Sequence, residues 1–350
     1  MWLIFGPAVV DIAQKVALKT DQRRPHGRTA NAEGVSLTMM ETRIRPETCK
    51  SPTRHSCLLR AFYSTISACW TLTKPEVNFL IAFATFTGFY LGKAHQPCPF
   101  PLPLLACTLV GVLLVASGTG TLNQYIERRF DAQMRRTARR PLAAGHLKPS
   151  VGLALGVSLA GFGSVFLAAS VNLLASALAL FTLTFYLMIY TPLKRKSPVC
   201  TLTGAVPGAM PPLIGCAGAT GHLSSEAWLL FGILFLWQFP HFMSIAWMYR
   251  DDYKRAGYRV LPLAERQSAF VNYMTVLPLL ALIPLTLFPA FSGHADASYI
   301  IEILLAGSIF LYYGSVLALE KSNRHARRLL FASIAYLPVV FALLIAKSSK

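Results

Sequence analysis

Charge is what this chain has least of: 14% of its 350 residues are Asp, Glu, Lys or Arg, against 54% hydrophobic. A soluble domain of this length carries nearer a quarter charged residues, so an ordinary soluble globular class is excluded. Acids are scarcer than bases, 15 against 33 Lys and Arg. The seven cysteines, at 49, 57, 69, 98, 107, 200 and 216, are odd in number and scattered. They form no CxxC pair, and neither a disulfide framework nor a cysteine metal site follows from them.

What is present instead is a series of long apolar runs. A bilayer forces the backbone to satisfy itself, so runs of about 20 residues read as spanning helices. Nine are expected, at 76–92, 100–122, 151–169, 171–190, 201–219, 227–248, 272–291, 299–318 and 329–346. The least defined edges are 169/171, interrupted only by Ser170 and Asn172, and the Gly/Pro-rich stretch 204–218.

Charge placement tests that count. With nine alternating spans, the loops after spans two, four, six and eight share one side with the N-terminus, and they carry Arg128 to Arg140, Lys148, Lys194 to Lys196, Arg250 to Arg266 and Lys321 to Arg328. The opposite loops carry Lys93 alone, before the C-terminal Lys347 and Lys350. This is the positive-inside division, and it places the basic side, with the N-terminus and the catalytic loops, in the cytoplasm, or in the matrix of a mitochondrion. The net charge of +18 therefore belongs to membrane topology, and no nucleic-acid partner is implied.

Residues 1–71 differ in kind. The first 75 residues hold eleven Lys/Arg and five Asp/Glu, in stretches such as TDQRRPHGRTANAEG, and read as a basic, disordered extension ahead of a membrane domain over 72–350. The opening MWLIFGPAVV is too short to span and lacks a preceding basic region. The acids argue against a transit peptide, and Met39 and Met40 are alternative starts. A bacterial inner membrane is the preferred location, with the mitochondrial inner membrane as alternative.

Polar residues at span ends are where chemistry is expected. Asn123, Glu127 and Asp131 stand four apart, on one face if the helix of span two continues. Oxygen ligands without cysteine or histidine suit Mg²⁺, which completes its shell with phosphate and water. Arg135 and Arg139 continue the spacing and would clamp anionic oxygens. An ordinary basic loop with surface ion pairs is the competing explanation. A second cluster, Tyr249 to Gly257, holds Asp251, Asp252, Tyr253 and Lys254 and faces the same side; it reads as a second metal site or as a solvated helix end. Tyr190 to Lys196 offers Lys194 and Arg195 to a phosphate, or is only topogenic charge. Gly204 to Gly215 breaks an apolar span, as a pocket wall or by close glycine packing. His241, beside Pro240 and Phe242, either contacts an acceptor or is a satisfied buried histidine.

These stretches resemble the UbiA superfamily of intramembrane prenyltransferases, and within it the haem-prenylating branch. The resemblance rests on Asn123, Glu127 and Asp131 with Arg136-Thr137 and Arg140-Pro141-Leu142, and on Leu72 to Val77, Tyr190 to Arg195, Gly204 to Gly215, Pro240 to Phe242 and Asp252 to Gly257. Together they run from about residue 72 to the C-terminus. Glu127 stands where Asp is usual, and Arg259-Val260-Leu261-Pro262 departs from the usual Pro-Met-Leu-Pro.

The resemblance implies an all-α bundle of nine transmembrane helices around a central cavity. It implies farnesyl transfer from farnesyl diphosphate to the 2-vinyl group of haem b, with Mg²⁺ as cofactor and haem A synthase as a candidate partner. Asn123, Glu127, Asp131, Asp251 and Asp252 are then expected to hold metal. Arg135, Arg139, Lys194, Arg195 and Lys254 are expected on the diphosphate, and His241, Tyr190 and Tyr253 in the acceptor pocket. A quinone precursor or chlorophyll-type ring is the alternative acceptor. A secondary transporter is the alternative of another class, disfavoured by carboxylates at one membrane face rather than at mid-depth.

Overall fold

In a computed structural model, the backbone is described for residues 54–94, 99–262, 264–291 and 296–348, and these form helices joined by turns and loops, with no strand among them. The order is α1 (Arg54–Thr73), α2 (Pro75–Lys93), α3 (Leu102–Asp131), α4 (Pro149–Ser170), α5 (Leu173–Thr184), α6 (Cys200–Ala209), α7 (Pro211–Thr220), α8 (Ser225–Met248), α9 (Arg250–Arg255), α10 (Ala264–Phe291), α11 (Ala297–Glu320) and α12 (Asn323–Ser348). A π-helical stretch, Phe185–Tyr190, and a turn, Thr191–Leu193, prolong α5.

Seven helices among the described residues are long and apolar enough to cross a membrane. The two remaining expected spans coincide with α2 and with the pair α6 and α7. That pair is broken at Met210, where Pro211 opens the next helix. Gly88 and Gly215 show why the small residues are there: a Cβ on Gly215 would lie 2.0 Å from Thr85 O, and one on Gly88 2.0 Å from Pro212 O. The α2 and α7 backbones therefore touch, as close packing through glycine requires. Pro207, Gly208, Pro211 and Ile214 also wall an apolar cavity, so both readings of this stretch hold.

The α4/α5 boundary at 170–172 is set by Asn172. Its Oδ1 accepts the Ala175 N–H (2.8 Å) and its Nδ2 donates to Ala217 O (2.7 Å), capping α5 and tying it to α7.

The extension is not irregular throughout. Residues 54–73 form α1, which continues almost directly into α2 and anchors through Leu72, packed with Leu142 and Leu147. Burying Leu72 gives this segment the apolar contact that the composition of 1–71 as a whole does not offer. Residues 1–53, with MWLIFGPAVV, Met39 and Met40, lie outside the described residues.

The length of α3 positions the site. Its 30 residues reach about 45 Å, whereas a hydrocarbon core takes about 20 residues. The last turns, from Asn123 onward, therefore stand at the membrane face.

Candidate functional site

At that end of α3 the expected face exists. Asn123, Glu127 and Asp131 are all buried and line one cavity of about 20 Å³ with Arg136, Arg140, Lys194, Tyr186, Tyr253 and Tyr258. Asn123 orients its neighbour: Nδ2 donates to Glu127 Oε2 (2.9 Å), while Thr191 Oγ1 donates to Asn123 Oδ1 (3.0 Å). Lys194 is paired with Glu127 and Arg140 with Asp131. Asp131 Oδ1 is buried and accepts no hydrogen bond from the described residues. Such an atom is costly in isolation and is matched by a cation.

The arginines that face the cavity are Arg136 and Arg140; Arg135 and Arg139 are exposed. The expectation failed because the α-helix ends at Asp131, where Thr137 Oγ1 donates to the Asp131 carbonyl (2.8 Å). Beyond it the chain advances by three-residue turns, with Met134 N–H to Asp131 O, Thr137 N–H to Met134 O and Arg140 N–H to Thr137 O. Three such turns return Arg140 over Asp131, where a continued α-helix would have offered Arg135.

The second motif contributes differently from its expected role. Asp252 is buried but does not line the cavity: Oδ2 accepts the Arg136 backbone N–H (3.3 Å) and Oδ1 meets Arg255 Nη1 (2.9 Å). Tyr253 OH accepts from Arg136 Nη2 (3.3 Å), and Arg136 lies 5.0 Å from the Tyr249 ring centre. α9 thus holds Arg136 in place. Asp251 and Lys254, three residues apart, share the exposed face of this six-residue helix.

Tyr258 enters through Gly257. The positive φ of 69° there reverses the chain, Tyr258 N–H closes back on Tyr253 O (2.9 Å), and Arg259 N–H binds Lys194 O (2.8 Å). Lys194 then lies 4.8 Å from the Tyr190 ring centre and 5.8 Å from that of Tyr258. Arg195 turns outward over Phe130, at 4.1 Å from its centre. Burial, with the Glu127 and Asp131 charges adding, pushes the Tyr258 phenol far above its ordinary range. Burial likewise raises Tyr253, with Arg136 opposing, and pushes Arg140 down to about 10, with Asp131 opposing.

His241 is absent from the cavity. It is fully buried between α8 and α12, with Nδ1 2.7 Å from Ser333 Oγ and its ring stacked on Trp237 at 4.7 Å. A smaller pocket beside the site is lined instead by Tyr190, Cys200, Thr201, Phe242, Ala246, Tyr253 and Val260. Tyr186 lines both the polar cavity and an apolar one of about 80 Å³ between α2, α3, α5 and the α6/α7 break.

The UbiA prenyltransferase family model matches residues 78–336. A protoheme IX farnesyltransferase of Solibacter usitatus (strain Ellin6076) is 45% identical over 280 residues, covering 78% of this chain and 96% of the relative. This chain belongs to the UbiA family. A solved structure from work on digeranylgeranylglyceryl phosphate synthase aligns with TM-score 0.66 at 16% identity, over 81% of this chain and 98% of that one. A UbiA homolog from Archaeoglobus fulgidus bound to GPP and Mg²⁺ aligns with TM-score 0.50 at 14% identity, over 79% and 99%. Both share the fold.

Within this UbiA chain, Asn123, Glu127, Asp131, Lys194 and Tyr253 line one cavity, and the Tyr190 ring lies against Lys194. Arg136, Arg140 and Tyr258 join them without having been singled out, although Arg136 and Arg140 stood in the quoted basic tail and Gly257 preceded Tyr258 in the quoted second motif.

Proposed function

We propose that this chain transfers farnesyl from farnesyl diphosphate to the 2-vinyl group of protoheme IX, haem b, with addition of water, giving haem O and diphosphate. The observation that carries the reading is a buried polar cavity, walled by two carboxylates and three cations, that shares the wall residue Tyr186 with an apolar one. An anionic head with an isoprenoid tail matches that pair of compartments. The haem acceptor is supported by the protoheme IX farnesyltransferases that this chain resembles across most of its length.

The donor set fits Mg²⁺: Glu127 and Asp131 would hold it, with Asn123 fixing the Glu127 carboxylate. Among the described residues no three His, Cys, Asp or Glu side chains group as a complete metal site, and the diphosphate would supply the other ligands. When bound, the ion supplies neutralisation of the diphosphate oxygens. Lys194, Arg136 and Arg140 take up the charge that develops as the C–O bond to the leaving group breaks. Tyr186, Tyr190 and Tyr253 line the compartments beside the reacting carbon and would keep bulk water away from the allylic cation. The vinyl carbon attacks the cation, and one water adds its oxygen to the adjacent carbon while its proton is released. Asp252 acts through Arg136, as a positioning residue.

We place the protein in a bacterial inner membrane with the basic loops and the site on the cytoplasmic side. The one-sided distribution of Lys and Arg supports this orientation. Residues 72–350 form the prenyltransferase body in this reading.

Mass spectrometry of haem extracted from membranes that express this chain, in a host without its own haem O synthase, tests the proposal. Haem O is expected. Haem b alone, with folded protein and farnesyl diphosphate present, would move the reaction to a quinone precursor or another prenyl acceptor.

A further inference from the structure

Lys74 is a buried lysine that the proposed mechanism does not use. It sits at the start of α2, 5% exposed, on the wall of the apolar cavity beside Val77, Ile81, Val112 and Ile214. Its side chain thus runs along the wall of the compartment proposed for the prenyl tail.

Its backbone is unusual as well. Lys74 has φ 55° and ψ 63°, a left-handed conformation that residues other than Gly, Asn and Asp seldom adopt. The surrounding chain enforces it. Asn78 Nδ2 donates to Thr73 O (3.0 Å) and to Ser117 Oγ (2.8 Å), while Gln124 Nε2 donates to Leu72 O (3.1 Å). The Lys74 carbonyl accepts the N–H groups of Val77 and Asn78. Two side chains of α3, Ser117 and Gln124, thus lock the entrance to α2 in a strained shape, which is where function is sought first.

The shape sends the side chain along α3. A Cβ on Gly120 would lie 3.4 Å from Lys74 Cδ and 3.7 Å from Nζ, so the glycine leaves the arm its path. Gly120 and Glu127 are seven residues apart on one helix, about 10 Å along the axis. The ammonium is therefore held between the apolar cavity and the carboxylates. Burial sets it well below the ordinary lysine range; Arg140 presses the same way, and the charges of Asp131 and Glu127 oppose.

We infer that Lys74 is a further donor-binding residue, whose ammonium engages the diphosphate end of the prenyl donor where the head meets the tail. The inference rests on the prenyl-transfer reading of the site. It gives the entrance to α2 a share in holding the anion, alongside Lys194, Arg136 and Arg140.

The test compares Lys74→Asn, which removes the charge but keeps a residue at ease in the left-handed backbone, with Lys74→Arg. Purified full-length protein with Mg²⁺ is titrated calorimetrically with farnesyl diphosphate, with inorganic pyrophosphate and with farnesol. Lys74→Asn is expected to weaken binding of both diphosphates by about ten-fold or more, the loss of one charge-assisted hydrogen bond. It should leave farnesol binding and the thermal midpoint unchanged and raise the KM for farnesyl diphosphate without a matching change for haem. Lys74→Arg should recover most of the affinity. Wild-type affinity for both diphosphates in Lys74→Asn, or equal weakening toward farnesol with a lowered midpoint, would overturn the inference and make Lys74 structural. Wild-type protein that binds no farnesyl diphosphate would instead overturn the prenyl-transfer reading itself.

Discussion

Two buried polar clusters in this molecule invite comparison. One joins Asn123, Glu127, Asp131, Lys194 and Arg140 at the end of α3; the other joins Trp237, His241, Ser244 and Ser333 between α8 and α12. In the second, Trp237 Nε1 donates to Ser333 O (2.8 Å), His241 Nδ1 meets Ser333 Oγ (2.7 Å) and Ser244 Oγ donates to His241 O (2.7 Å). None of its four members lines the polar site cavity. The first is charged, surrounds a cavity and leaves Asp131 Oδ1 without a hydrogen-bond donor among the described residues. Burial and polarity are common to both, so neither identifies a reactive site. What separates them is that one network closes on itself and the other leaves a buried carboxylate oxygen beside a cavity.

The largest expected effect lies in the open cluster. Asp131→Asn or Lys194→Met should lower haem O formation by about 10²-fold or more, as removal of a preorganised charge does at a developing oxyanion. Haem O per mole of folded protein measures it, with size-exclusion elution as the folding control. Activity within a few-fold of wild type in both variants would remove the distinction between the clusters.

A sharper form contrasts neighbours one residue apart. Arg140→Gln should cost about ten-fold or more in haem O formation, through a lost charge-assisted contact, and Arg139→Gln, exposed, about two-fold at most. A continued α-helix would predict the reverse, so the pair also tests the three-residue turns after Asp131.

How much of this was legible in the sequence follows from the same region. Apolar length and one-sided charge locate the spans, because bilayer thickness and backbone satisfaction leave few alternatives. The face Asn123, Glu127, Asp131 is legible for as long as helical period holds. It ceases to be legible at Asp131, where Thr137 back-bonds to the helix end, a contact that no spacing rule carries. Asp252 and His241 have the residue types of a site, yet their roles depend on Arg136 and on Ser333, the latter 92 residues away. Tyr258 depends on a left-handed glycine, visible only as a punctuation mark until the fold shows where it turns the chain.

The closed cluster should respond in stability rather than in rate. Ser333→Ala removes the partner of His241 Nδ1 and is expected to cost about 1–2 kcal/mol, read as a lowered thermal midpoint, with haem O formation per folded molecule within about two-fold. A rate loss of about ten-fold at unchanged midpoint would return His241 to the acceptor pocket.

The exposed end of α11 sets the lower limit of the comparison, because there a charge is paired in water rather than in a buried cavity. Asp296 caps the helix: Oδ1 accepts the Tyr299 N–H (3.0 Å), and Lys347 Nζ lies 2.8 Å from the carboxylate. Lys347, then the Tyr299 N–H and Ser298, hold its carboxyl below the ordinary carboxylate range. The unfolded chain, with an aspartate pKa of about 3.9, therefore takes up the proton first as pH falls. The contribution is complete above about pH 4 and is lost as pH drops through the lower folded value. Asp296→Asn keeps an acceptor for the cap but cannot titrate. Its midpoint should lie slightly below wild type at pH 7, and the gap should narrow as the pH falls below about 4. Screening at this exposed position keeps the difference small, and a gap that widened on acidification would show that Asp296 is not stabilised as its anion.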